Sequence, residues 1–122
     1  MITPRLDFVL LFVKNPAQSA QFYETIFGIE PVEQSPTFAL FVLQNGVKIG
    51  LWSQQTAEPT ITALPGAMEL AFEVPNVDKI YEDWQKKGIA ILQKPTEMDF
   101  GRTFVALDLD GHRIRILKLK ED

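Results

Sequence analysis

One internal repeat constrains the fold of this chain more than any other feature. A first copy opens with the apolar run Phe8-Val9-Leu10-Leu11-Phe12-Val13, passes Lys14-Asn15 and enters a helical stretch, Ala17–Phe27, that ends at Gly28. A second copy opens with Glu69-Leu70-Ala71-Phe72-Glu73-Val74, passes Pro75-Asn76 and enters Val77–Lys87, ending at Gly88. Each copy closes on a hairpin signal, Gln44-Asn45-Gly46-Val47 in one and Leu109-Asp110-Gly111-His112 in the other. A half-domain of this kind cannot bury its apolar face alone, so the two copies are expected to pair and leave a groove between them. The reading is a single domain over 1–122, with repeats at 7–54 and 67–119 and a linker over 55–66. What lines the groove then decides the function.

Composition narrows the function classes. A chain of 122 residues with 46% hydrophobic content can bury one sizeable core. A net charge of -4 argues against a nucleic-acid partner, whose phosphates demand a basic face. No cysteine is present, which removes disulfides, thiolate nucleophiles and thiolate metal sites. The start, Met1-Ile2-Thr3-Pro4-Arg5, does not read as a signal peptide, and charges interrupt every apolar run before membrane-spanning length. The expectation is a cytoplasmic protein with no membrane partner.

The pattern along the chain gives βαβββ twice. Asp7–Val13 is apolar enough for a strand covered on both faces. Asn15 and Asn76 precede the helices, and Asn15 with Pro16 reads as an N-cap followed by proline at the first helical position. Short strands follow each helix, Ile29–Val32 and Ile89–Gln93, and Lys94–Gly101 reads as a loop carrying Met98, Phe100 and Gly101. The hairpins are Thr37–Leu43 with Val47–Ser53, and Thr103–Asp108 with His112–Leu119. Asn45-Gly46 and Asp110-Gly111 suit two-residue turns of type I′. Such turns would set Phe41 opposite Gly50, Ala39 opposite Trp52, Ala106 opposite Arg115 and Phe104 opposite Leu117. Phe38, Leu40, Val42, Ile49 and Leu51 would then face the helix, as would Val105, Leu107, Ile114 and Ile116.

Three segments carry a likeness in this order: Val13-Lys14-Asn15, Gln21-Phe22-Tyr23-Glu24-Thr25-Ile26-Phe27-Gly28, and Asp108-Leu109-Asp110-Gly111-His112-Arg113-Ile114. With them the whole chain resembles the vicinal-oxygen-chelate superfamily, which includes glyoxalase I, extradiol dioxygenases, fosfomycin-resistance enzymes and bleomycin-resistance binding proteins. Gly50-Leu51-Trp52-Ser53 and Phe100-Gly101-Arg102-Thr103-Phe104 bring it nearest to the phenazine- and mitomycin-resistance members. The resemblance implies an α+β fold of tandem βαβββ repeats, with mixed curved sheets forming a cleft and helices outside.

The resemblance also implies where metal-dependent relatives hold their ligands, and those four positions are Phe8, Gly50, Glu69 and Arg115 here. Phe8 and Gly50 offer no donor, Arg115 carries only N–H donors and a permanent charge, and Glu69 alone cannot hold a divalent ion. No metal or other cofactor is therefore expected. Glu69 has two open readings: a pair with Arg115, or a general base whose pKa burial would raise. His112 reads as a turn residue, pointing away from Arg115.

Aromatic residues are the better lead. Phe8, Phe41, Trp52 and Phe104 fall on the expected groove face, with Phe100 at its mouth, although core packing is an open alternative for Phe8 and Phe41. Trp52 ends a strand beside a glycine expected to leave space, which suits stacking on a flat ring. Trp84 lies on the second helix and reads as structural. The ligand-binding set is thus Phe8, Phe41, Gly50, Trp52, Glu69, Met98, Phe100, Gly101, Phe104 and Arg115. The expected function is metal-independent sequestration of a planar aromatic compound, an antibiotic or toxic metabolite. A metal-free lyase or isomerase using Glu69 is the alternative. Exposed sheet edges lead to the expectation of a homodimer.

Overall fold

The computed structural model describes residues 3–63 and 68–121, so Ala67 and the end of the expected linker lie outside the described residues. Its elements are β1 (Phe8–Val13), α1 (Pro16–Phe27), β2 (Glu33–Gln34), β3 (Phe38–Val42), β4 (Lys48–Ser53), β5 (Glu69–Glu73), α2 (Val77–Lys86), β6 (Ile91–Met98), β7 (Gly101–Leu107) and β8 (Arg113–Leu119). The chain divides into two compact units, the first ending at Ala63. Each is a four-stranded mixed sheet with one helix packed on it, an α+β arrangement. No helix among the described residues is long and apolar enough to cross a membrane.

In the first unit the strand order is β1-β4-β3-β2, with β1 parallel to β4 and the other pairs antiparallel. Asn15 caps α1 by accepting a hydrogen bond from the Gln18 amide at 3.1 Å. One stripe of α1, with Ala20, Tyr23 and Ile26, is buried against the sheet side that carries Leu11, Val13, Ala39, Phe41, Ile49 and Leu51. The second unit repeats this with order β5-β8-β7-β6 and β5 parallel to β8. Asn76 caps α2 in the same way through the Lys79 amide. Here the core is Leu70, Val77, Trp84, Phe104, Ala106, Ile114 and Ile116, and Trp84 is structural as expected.

Both hairpins differ from the expected register by one residue, for the same reason. Leu43 N–H donates to Val47 O at 2.9 Å and Gly46 N–H to Leu43 O at 2.9 Å, so the loop holds three residues, not two. Asp108 N–H to His112 O, 3.0 Å, and Gly111 N–H to Asp108 O, 3.2 Å, make the same turn in the second unit. Only the glycines are left-handed, Gly46 at φ 89° and Gly111 at φ 88°, and no described non-glycine residue has positive φ. A type I′ turn needs two such residues. One left-handed glycine after an ordinary turn instead gives the three-residue loop.

A one-residue slip exchanges the two faces of a strand. Leu40 lies beside Gly50, Phe38 beside Trp52, and Phe41 beside Ile49. Likewise Val105 lies beside Arg115 and Phe104 beside Ile116. Phe41 and Phe104 are therefore not groove residues. Phe41 is fully buried under α1, its ring edge-on to Phe27 at 5.9 Å, and Phe104 is fully buried between Tyr81 and Trp84 at 5.4 and 5.5 Å. Conversely Phe38, Leu40 and Val42 leave the helix side, as do Val105 and Leu107.

Three boundaries also shift. The strand after α1 is Glu33–Gln34 rather than Ile29–Val32. Ile91–Met98 is one strand, so Met98 is not in a loop; it runs through Pro95 because β6 is an edge strand where a missing N–H costs little. β1 is not covered on both faces, since Phe8 is 51% and Leu10 37% exposed.

Phe104→Ala is expected to lower unfolding stability by about 3–5 kcal/mol, the range for truncating a buried ring, as measured by urea unfolding. A loss under 1 kcal/mol would contradict the placement of Phe104 in the core.

Candidate functional site

The face of each sheet away from its helix is free of secondary-structure cover within its own unit, and the two free faces differ in chemistry. Alternation along β1, β3 and β4 turns Phe8, Leu10, Phe12, Phe38, Leu40, Val42, Lys48 and Trp52 to one side in the first unit. None of their side chains is fully buried. Trp52 is the centre of a ring cluster, tilted to Phe12 at 6.2 Å and edge-on to Phe38 at 6.4 Å. Lys48 Nζ stands 4.9 Å from the centre of the Phe8 ring, a cation–π contact. Gly50 does not leave a hole beside Trp52. A Cβ there would meet Leu10 Cδ2 at 2.6 Å and Phe38 Cζ at 3.0 Å, because those side chains lean over the glycine.

Of the expected residues in this unit, Phe8, Gly50 and Trp52 share the free face and Phe41 does not. The sequence reading missed Leu10, Phe12, Phe38, Leu40 and Val42. For Leu10 and Phe12 the signal was period-two alternation from Phe8; for Phe38, Leu40 and Val42 it was the single glycine in the turn, which gives the three-residue loop once asparagine is kept out of the left-handed region.

The second free face is polar at its core. Glu69 on β5 meets two guanidiniums on β8: Arg115 donates from Nε to Oε2 at 2.8 Å and from Nη2 to Oε1 at 3.3 Å. Arg113 Nε lies 2.9 Å from Glu69 Oε1, yet its N–H is turned off line and makes no hydrogen bond. Arg115 Nη1 also donates to Thr103 Oγ1 at 3.2 Å, and its guanidinium lies 5.9 Å from the Phe100 ring. Thr103 in turn donates to Ile116 O at 2.8 Å. The expected pair of Glu69 with Arg115 is present, and Arg113 is a third member that sequence reading did not single out. Met98 pairs with Gly101 in the ladder, and the backbone of Lys118 fills the space that a Cβ on Gly101 would need.

These contacts act against the raised pKa that the general-base reading of Glu69 requires. The hydrogen bonds from Arg115, and then the charges of both arginines, outweigh desolvation and hold the carboxyl below its usual range. A carboxylate so stabilised is a weak base. The four positions that metal-dependent relatives use thus hold a phenyl ring, a bare backbone, a carboxylate engaged by two guanidiniums, and one of those guanidiniums. That donor set does not fit a divalent ion. Among the described residues, no group of three or more His, Cys, Asp or Glu side chains is gathered to hold one.

His112, the sole histidine, is buried and pairs through Nδ1 with Asp108 Oδ2 at 2.8 Å. The other oxygen of Asp108 accepts the Asp110 and His112 amides at 2.9 and 2.8 Å, which closes the turn. Its hydrogen bond to Asp108 raises the His112 pKa. Arg102 binds Asp78 at the start of α2 through Nε and Nη2, both at 2.7 Å, and so fastens the helix to β7. Both groups are structural.

The family model of the Glyoxalase/Bleomycin resistance protein/Dioxygenase superfamily matches residues 5–116. Phenazine antibiotic resistance protein EhpR of Enterobacter agglomerans is 34% identical, over 97% of this chain and 93% of that protein. The solution structure of protein ATC0852 from Agrobacterium tumefaciens is 48% identical with a TM-score of 0.87, covering 98% of this chain and all of that one (100%). A glyoxalase-related enzyme from Fulvimarina pelagi has a TM-score of 0.82 at 25% identity, over 95% of this chain and 88% of its own.

The Glu69 carboxyl should titrate below the ordinary glutamate midpoint of about 4.3 when followed by carbon NMR. Arg115→Gln should move the midpoint up, and the stability contributed by the charged form should be lost only as pH falls through the depressed value. A midpoint at the ordinary value in the unsubstituted protein would contradict the double pairing.

Proposed function

Because this chain belongs to the glyoxalase/bleomycin resistance protein/dioxygenase superfamily, we propose that it acts as a binding protein that sequesters a planar aromatic compound and confers tolerance to it. The observation that carries the reading is the aromatic free face of the first unit. Trp52, Phe12 and Phe38 form a ring cluster that α1 does not cover, and Phe8 and Leu10 extend it in an exposed state. Leaving such side chains uncovered forgoes the stabilisation of burying them, roughly 1.5–3 kcal/mol each. A flat apolar ligand recovers part of that and gains ring stacking with Trp52. Sequestration asks nothing more of the protein than an apolar surface and a few polar groups.

Similarity to a phenazine antibiotic resistance protein supports the choice of a flat, fused-ring ligand. The rival reading, a metal-free lyase or isomerase with Glu69 as base, draws no support from a carboxyl held below its usual pKa by two arginines.

Phenazine is the probe for this reading. Calorimetric titration should give saturable binding, and the compound should be recovered unchanged after prolonged incubation. Trp52→Ala should weaken binding by about 1–3 kcal/mol, a tenfold to hundredfold loss. Trp84→Phe should bind normally, since that ring belongs to the helix layer. Equal affinity in folded Trp52→Ala and the unsubstituted protein would remove Trp52 from the site, and consumption of the compound would favour an enzyme.

A further inference from the structure

The free face of the first unit carries one cation among its rings, and its position there bears on the ligand. Lys48 opens β4, a central strand, with Phe8 beside it on β1 and Val42 beside it on β3. The next row along the sheet is Leu10, Gly50 and Leu40, and the row after that is Phe12, Trp52 and Phe38. A half-buried lysine thus stands at one end of an apolar face whose other end is the Trp52 ring cluster.

Lys48 takes part in none of the ion pairs among the described residues. Its ammonium lies over the Phe8 ring, which attracts the charge without neutralising it. Asp7, the residue before β1, is paired with Arg5 at 3.0 Å. Glu33, on the edge strand β2, stands beside Leu40 and so shares the free face, but it too forms none of those ion pairs. A charge among apolar neighbours gives up hydration, and a counter-ion offsets that loss.

The spacing suits a flat ligand. Lys48 and Trp52 are four residues apart on β4, roughly 13 Å along the strand. Between them Gly50 has no side chain, and Leu10 and Phe38 lean over it as an apolar floor. A fused three-ring system resting on that floor spans most of the interval, and the flexible lysine stem reaches across the rest. One ammonium balances one negative charge, whereas a doubly charged phosphate would leave an excess.

We propose that Lys48 receives an anionic substituent at the end of the ligand, so that the protein prefers flat aromatic carboxylates over their neutral counterparts. This rests on the reading of the free face as an aromatic-binding surface, and it lies wholly within the first unit. The contact asks for a positive charge on a flexible stem.

The test compares phenazine-2-carboxylate with phenazine-2-carboxamide at neutral pH, by calorimetric titration of the full chain. The carboxylate should bind about fivefold tighter, the upper end for an ion pair that solvent reaches. Raising salt from about 0.05 to about 0.5 M should lower that ratio. Lys48→Met keeps an apolar stem and should bring the ratio close to one by weakening the carboxylate. Lys48→Arg should retain the preference, and so should Glu33→Gln, which removes a charge from the same face away from the docking point. Equal affinities for the two compounds in the unsubstituted protein would overturn the proposal and leave the aromatic-binding reading standing. A preference that persists unchanged in folded Lys48→Met would overturn it as well, by assigning the anion to another group. Absence of binding by either compound would overturn the aromatic-binding reading and this proposal together.

Discussion

The side of the sheet on which each residue stands depends on two turn glycines. Gly46 and Gly111 take the left-handed conformation after a turn of ordinary hand, and each closes a three-residue loop. Loop length sets register, and register sets face. With it, Phe41 and Phe104 go under the helices, while Phe38, Leu40, Trp52, Arg113 and Arg115 go to the free faces. Had the loops held two residues, Phe41 would have stood beside Gly50 and Phe104 beside Leu117 on the free faces, and Phe38, Leu40, Val105 and Leu107 would have lain under the helices.

Much of the architecture was legible in the residues. Asn15 caps its helix as its position before Pro16 suggested, Asn76 does the same in the second repeat, and both repeats end in the hairpins that Asn45-Gly46 and Asp110-Gly111 marked. The pairing of Glu69 with Arg115 was one of the two readings open for Glu69 and followed from the resemblance, whose metal-ligand positions these are; β5 and β8 run parallel with them near one another. The exact neighbours across each hairpin were not. Asn-Gly serves two-residue and three-residue loops alike, and the choice rests on whether the asparagine itself becomes left-handed. In this chain it does not: Asn45 Oδ1 instead accepts the Val47 amide at 3.1 Å. Most of β6 fell in the segment read as a loop, yet the strand runs through Pro95, since an edge strand can absorb a missing donor that a central strand cannot.

The two units apply one backbone plan to opposite chemistry. In the first, the free face carries rings and one lysine set over Phe8, and a glycine lets Leu10 and Phe38 close over the sheet centre. In the second, the equivalent strands carry a carboxylate and two guanidiniums bound to it. The positions that hold metal ligands in metal-dependent relatives have become, respectively, part of an apolar surface and part of an ion-pair cluster. Neither retains a donor set for a divalent ion.

Intermolecular nuclear Overhauser effects between bound phenazine and assigned side-chain protons test this account most directly, since they report which face of the first sheet meets the ligand. The account predicts contacts to the Trp52 indole, the Phe12 ring and the Leu40 methyls, with none to Phe41 beneath α1. Contacts to Phe41 or Phe104, with none to Trp52, would contradict it.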